Sequence, residues 1–183
     1  MFKRLGAFFL DILEVVVFAI GIFFFVYLLI MRPHKIRGQS MEPNFPDGQY
    51  LLTQKVSYYL NSPQRGDVVV FKPPVSEDDE FIKRIIALPG EKIKVQAGKV
   101  YINDNLLNES YLDSSLYTTG SNFLQEGEQY EVPEGHWLVM GDNRPHSSDS
   151  RAWGPITKKE ISGKAWLIYW PPSLAGLVKK ITY

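Results

Sequence analysis

Val15 to Met31 reads VVVFAIGIFFFVYLLIM, a run without a single charge. With Asp11 to Glu14 as a lead-in, a helix here reaches about 20 residues or about 30 Å, enough to span a bilayer. A cleavable signal peptide and a buried core helix are the alternatives. The run is too long for the apolar stretch of a typical signal peptide, and Arg32-Pro33-His34-Lys35-Ile36-Arg37 follows it where a small-x-small cleavage site would stand. An uncleaved anchor within residues 1–31 is therefore expected, with the lipid bilayer as a partner. Everything from residue 32 to 183 must then fold as a domain tethered at a membrane. Lys3 and Arg4 precede the run, while Arg32, Lys35 and Arg37 follow it, so charge alone does not orient the anchor.

The tethered part fits one domain, perhaps with an insertion. The chain of 183 residues has zero net charge and no cysteine. The first suggests no nucleic-acid partner. The second excludes disulfides, thiol catalysis and zinc-thiolate sites. Tyr50 to Tyr59 is strand-rich. Val68 to Phe71 has no polar face and so is expected to be buried on both sides. Pro73-Pro74 and the acidic run Glu77 to Glu80 form a solvated loop. Lys92 to Val95 and Lys99 to Ile102 make a hairpin around Ala97-Gly98. Residues 108–131, rich in Ser, Thr, Gly, Asn and Glu, mark a peripheral insertion of about 97–132. Trp137 to Met140 and Ala165 to Trp170 are further core strands, separated by the turn-rich Gly141 to Ser150. No long amphipathic helix follows residue 40. The class expected is mainly β, an antiparallel barrel- or sandwich-like domain behind an N-terminal transmembrane helix.

One strand carries an anomaly. Phe81 to Leu88 is apolar except for Lys83 and Arg84, and Pro89-Gly90 ends it. Alternation sends Phe81, Lys83 and Ile85 to one face and Ile82, Arg84 and Ile86 to the other. A buried ammonium is costly unless it is paired or loses its proton, so one of these cations is read as paired and the other as neutral. Ser40, beside Gly38 and close to the membrane, becomes a nucleophile only with a base in hydrogen-bond reach. The bases to hand are the histidines and a neutral lysine. His146 lies among Asp142 and Asp149, which makes a Ser-His-Asp triad conceivable, but an exposed loop residue is the favoured reading. Lys83 has the apolar site a neutral amine needs, though a lysine snorkelling at a sheet edge is the rival reading. Keeping Lys83 neutral at about pH 7 to 8 means depressing its pKa from about 10.4 by roughly 3, at about 4 kcal/mol, which burial can supply.

The chain resembles the bacterial type I signal peptidases along nearly its whole length. The blocks that carry the likeness are Ser-Met-x-Pro at Ser40 to Pro43, Arg-Gly-Asp-Val-Val-Val-Phe at Arg65 to Phe71, Lys-Arg-Ile-Ile-Ala-Leu-Pro-Gly-Glu at Lys83 to Glu91, and Gly-Asp-Asn-Arg with Ser-x-Asp-Ser-Arg-x-Trp-Gly between Gly141 and Gly154. The resemblance implies a Ser-Lys dyad of Ser40 and Lys83, with Ser147 orienting the lysine. It implies ion pairs Arg84–Asp142 and Asp149–Arg151, and shallow pockets for small side chains near Ile36, Met41, Phe45, Phe81 and Ile82. Asn44 departs from the family's usual threonine. Gly38 stands where some members carry a serine that helps bind the oxyanion, so the Ser40 N–H and the Gly38 N–H are the donors to consider. The substrates implied are exported preproteins cut after an Ala-x-Ala type sequence outside the cytoplasm. No metal or cofactor is implied. The rival assignments are another Ser-Lys peptidase on the same fold, such as the self-cleaving SOS repressors, and a catalytically idle relative acting as an assembly partner.

Overall fold

The structure of the chain, a computed structural model, describes residues 2–29, 31–76, 78–181 and 183. Ile30 of the apolar run and Glu77 of the acidic run lie outside the described residues, as do the side chains of Lys3 and Arg4. Helix α1, Phe2–Leu29, starts well before the expected lead-in and stops short of Met31. Gly6–Tyr27, 22 residues, is long and apolar enough to cross a membrane. It corresponds to about 33 Å of helix. Phe18, Phe23 and Phe25 are each at least 60% exposed. A helix whose many apolar side chains stand exposed along its length fits a lipid environment.

In chain order the remaining elements are β1 Met31–Lys35, β2 Tyr50–Gln54, α2 Val56–Leu60, β3 Val68–Phe71, β4 Phe81–Ala87, β5 Lys92–Gln96, β6 Lys99–Ile102, β7 Asn105–Leu106, β8 Gln129–Glu131, β9 His136–Met140, α3 Ser150–Trp153, β10 Ile156–Thr157, β11 Ile161–Trp170 and β12 Gly176–Leu177. The fold is mainly β, as expected. The larger, 8-stranded sheet has the order β1-β2-β11-β3-β4-β9-β10, with β12 beside β11. All of its pairs are antiparallel, and register shifts along β11 and within β4 curl it. A smaller 4-stranded sheet, β7-β6-β5-β8, stands beside it.

β3 and β4 lie between two cores, which is why neither has a polar stripe. Val68, Val70 and Ile82 pack with Ile36, Met41, Phe45 and Leu51. Val69, Phe71 and Ile85 pack with Trp137, Val139 and Ile156. The shift between Ile85 and Ala87 breaks strict alternation. It lets Ile86 and Ala87 both join a third core with Ile93, Val95 and Val100 of the small sheet.

Three local readings change. Met31 to Lys35, to which the sequence pattern assigns no element and whose first residue closes the apolar run, is a strand. It pairs only with β2 at the sheet edge, the position where a strand tolerates Pro33. Tyr50 to Tyr59 divides after Gln54, because α2 turns Tyr58 inward to donate to the carboxylate of Asp67 at 2.9 Å. The last core strand begins at Ile161 rather than Ala165. Ile161, Gly163 and Ala165 are buried and Ser162 and Lys164 are partly exposed, a period-two pattern already present in the residues.

Candidate active site

Ser40 sits in the turn between β1 and β2, and Lys83 in the middle of β4. Lys83 Nζ lies 2.6 Å from Ser40 Oγ and 2.9 Å from the Ile82 carbonyl oxygen, which accepts from it. The lysine is 4% exposed, with its Nζ 5.3 Å from the centroid of the Phe81 ring. Burial pushes its pKa down to about 8, against the pull of Asp149 and Asp142 and with a smaller push from Arg151. A charged amine would donate to the serine. The neutral one accepts the serine proton along the same line.

Arg84 is held on a different set of partners. Its Nε and Nη2 donate to the two oxygens of Asp142 at 2.8 and 2.6 Å, and its Nη1 donates to the Gly66 carbonyl at 3.0 Å. Burial opposes the Arg84 charge, but Asp142 holds its pKa above the ordinary value. A second pair lies on the same loop: Arg151 donates to Asp149 through Nε and Nη2 at 2.8 Å each. Burial works against ionisation of Asp149, yet Arg151 and the Gly141 N–H keep its carboxyl below the usual range. With both carboxylates taken by arginines, the conceivable triad is not assembled. The His146 imidazole lines the cleft and makes no hydrogen bond among the described residues.

The Gly141–Ser147 loop clasps the Ser40 turn. Asn143 donates its N–H to the Ser40 carbonyl and its Nδ2 to the Gln39 carbonyl, both at 3.0 Å. Gly141 is needed at this crossing: a Cβ there would stand 2.2 Å from Ser147 Oγ and 2.4 Å from the Ser40 carbonyl oxygen. Ser147 Oγ is buried without a hydrogen-bond partner. The bond to Lys83 that the resemblance implies is not made in this geometry. Gly38, at φ +89°, donates its N–H to Asp47 Oδ1 at 2.8 Å. To serve an oxyanion the Gly38 N–H would have to leave that carboxylate. The Ser40 N–H has no partner among the described residues.

A cleft of about 410 Å³ opens beside Ser40 and Lys83 and is walled by Ile36, Phe81 and Ile82, together with Leu51 and Val70. Met41 and Phe45, expected at the same pockets, are core residues at 1% and 4% exposure. The turn closes on itself from Phe45 N–H to the Met41 carbonyl and packs both beneath the sheet. The residues read as site residues missed two contacts. Asn44 donates to Asp142 Oδ2 at 2.9 Å and to the Tyr111 carbonyl at 3.0 Å. Arg144, quoted only as part of a motif, forms a buried ion pair with Glu109. Nothing in the spacing of Glu109 and Arg144 signals that pair.

Among known proteins, the profile of the family described as signal peptidase, peptidase S26, matches residues 9–170. The probable signal peptidase I-2 of Synechocystis is 37% identical over 169 residues, covering 89% of this chain and 72% of that protein. Signal peptidase IB of Staphylococcus aureus is 34% identical over 164 residues, covering 84% and 85%. A solved signal peptidase I from Enterococcus faecalis V583 is 30% identical, with a TM-score of 0.46, covering 57% of this chain and 97% of that one.

Proposed function

The chain belongs to the signal peptidase family, peptidase S26, and on that premise we propose that it is a membrane-anchored endopeptidase whose Ser40–Lys83 dyad removes signal peptides from exported preproteins. The observation that carries this is the 2.6 Å separation of a buried Lys83 Nζ from Ser40 Oγ. Depressing the amine from 10.5 to about 8 raises its neutral fraction near neutrality by roughly 10²-fold.

Neutral Lys83 takes the Ser40 proton as Oγ attacks the scissile carbonyl carbon. The oxyanion forms against the Ser40 N–H. Lys83 then returns its proton to the leaving amine, and an ester joins Ser40 to the signal peptide. Water, deprotonated by Lys83, hydrolyses that ester. Phe81, Ile82 and Lys83 precede the part of β4 that pairs with β9, which begins at Arg84. That unpaired edge suits an extended substrate added as a strand. Shallow walls of Ile36, Phe81 and Ile82 favour small side chains and so an Ala-x-Ala site. In this reading Ser147 is the residue that orients the lysine, and the two arginine–carboxylate pairs hold the loop. The exposed apolar surface of Gly6–Tyr27 goes into lipid, and residues 32–183, with about 97–132 as a peripheral subdomain, work on the extracytoplasmic side, where preproteins emerge.

Full-length protein in detergent, incubated with a preprotein carrying an Ala-x-Ala site, should release the mature chain. Ser40→Ala and Lys83→Met should release none. Cleavage by Ser40→Ala at the wild-type rate would refute the assignment. A wild-type protein that cuts nothing would favour the assembly-partner role.

A further inference from the structure

We propose that Tyr111, in the irregular segment between β7 and β8, is a positioning residue that ties the Ser40 turn, the Lys83 strand and the Gly141–Ser147 loop into one arrangement. The inference rests on the Ser40–Lys83 reading above. Tyr111 touches all three segments by different atoms. Its ring lies 4.3 Å from Arg84 Cζ, one residue from the base. Its carbonyl accepts from Asn44 Nδ2 at 3.0 Å, and the same amide group donates to Asp142. Its hydroxyl donates to Glu109 Oε1 at 2.8 Å and accepts from Arg144 Nη2 at 3.2 Å. Arg144 in turn donates Nε to the Gly141 carbonyl at 2.9 Å and Nη1 to Thr118 Oγ1 at 2.9 Å, and pairs with Glu109.

The loop has need of such a tie. Residues 141–147 include only a single 3₁₀ turn, Arg144–His146, and no strand ladder fixes them. Apart from the one backbone bond from the Asn143 N–H to the Ser40 carbonyl, side chains hold the loop against Ser40, and Tyr111 with Glu109 is the part of that hold supplied from the peripheral segment. A cation under an aromatic face is held more firmly where it is desolvated, and Tyr111 covers the Arg84 guanidinium. The charge state of Lys83 is set first by its burial and then by Asp149, Asp142 and Arg151 on the loop side, with Arg84 the neighbouring charge on its own strand, paired to Asp142. Loosening the tie lets the loop carboxylates shift and water approach Lys83. A misplacement of about 1 Å at such a site costs up to about 10²-fold in rate.

The test measures kcat, KM and the pH profile of kcat/KM on a preprotein, with melting temperature alongside, for the full-length protein in detergent. The variants are Tyr111→Leu, Tyr111→Phe and Glu109→Gln, with Ser40→Ala as control. Tyr111→Leu should lower kcat about tenfold or more with KM little changed, and should move the pH midpoint up toward that of an ordinary lysine. Tyr111→Phe keeps the ring over Arg84 and should restore much of the rate. If Tyr111→Leu does not fold, a lowered kcat in Glu109→Gln at unchanged melting temperature upholds the role. A lower melting temperature with wild-type kcat and pH midpoint in the folded variants overturns it, because that is packing alone. Cleavage by Ser40→Ala overturns the dyad itself. Loss of cleavage in Ser40→Ala with normal rates in every folded Tyr111 and Glu109 variant overturns only this inference.

Discussion

Lys83 and Arg84 are neighbours in the chain and opposites in chemistry. Unfolded, Lys83 titrates at 10.5 and folded at about 8. Below about pH 8 the native state carries the full cost of a buried ammonium. Between about pH 8 and 10.5 the unfolded chain binds the proton that the native one has released, so stability rises with pH through that window and levels off above it. Lys83→Met removes the titration. The variant should be inactive yet as stable as wild type or more so at pH 7, by up to about 3 kcal/mol, and the gain should vanish by about pH 10.5 in thermal melts across pH. Asp142→Ala acts in the other sense. It strands Arg84, whose side chain is 3% exposed, and should cost about 3–5 kcal/mol, read as a drop in melting temperature that Arg84→Met in the same chain partly relieves. At this scale the alternation of one strand made the different fates of the two cations legible. The partners were not legible from spacing. Asn44 reaching Asp142, and Glu109 reaching Arg144, depend on how loops fold over one another, and no local period encodes that.

Among the elements, β3 and β4 were the clearest, since a strand buried on both faces reads as a near-continuous apolar run, broken in β4 only by Lys83 and Arg84. Ile85→Ala should open a cavity there and cost about 2–5 kcal/mol in denaturation experiments. β1 was hidden by its charges and Pro33, which an edge strand accepts and a sequence pattern reads as a linker. The Ala97-Gly98 hairpin formed where the turn signal placed it, with φ of +50° and +79°. Ala97 is held in the left-handed region, where an L-residue is strained and asparagine is better tolerated. Ala97→Asn should therefore raise stability by about 1 kcal/mol, seen as a higher melting temperature with cleavage unaffected.

At the scale of the whole molecule, the anchor, the curled sheet and the small sheet each do separate work. The apolar run identified the helix that fits a membrane anchor, but its ends shifted, because helix propensity carries α1 back to Phe2 while pairing with β2 claims Met31 for a strand. Deleting residues 2–29 should leave the β domain soluble and abolish co-flotation with lipid vesicles, which the full chain should show. The account turns on a lysine that is neutral when it meets the serine, and the measurement that tests this most directly is kcat/KM for preprotein cleavage across pH. A rise through about pH 8 is predicted, following the depressed lysine. A profile flat from about pH 6 to 10 would contradict a titrating Lys83 base.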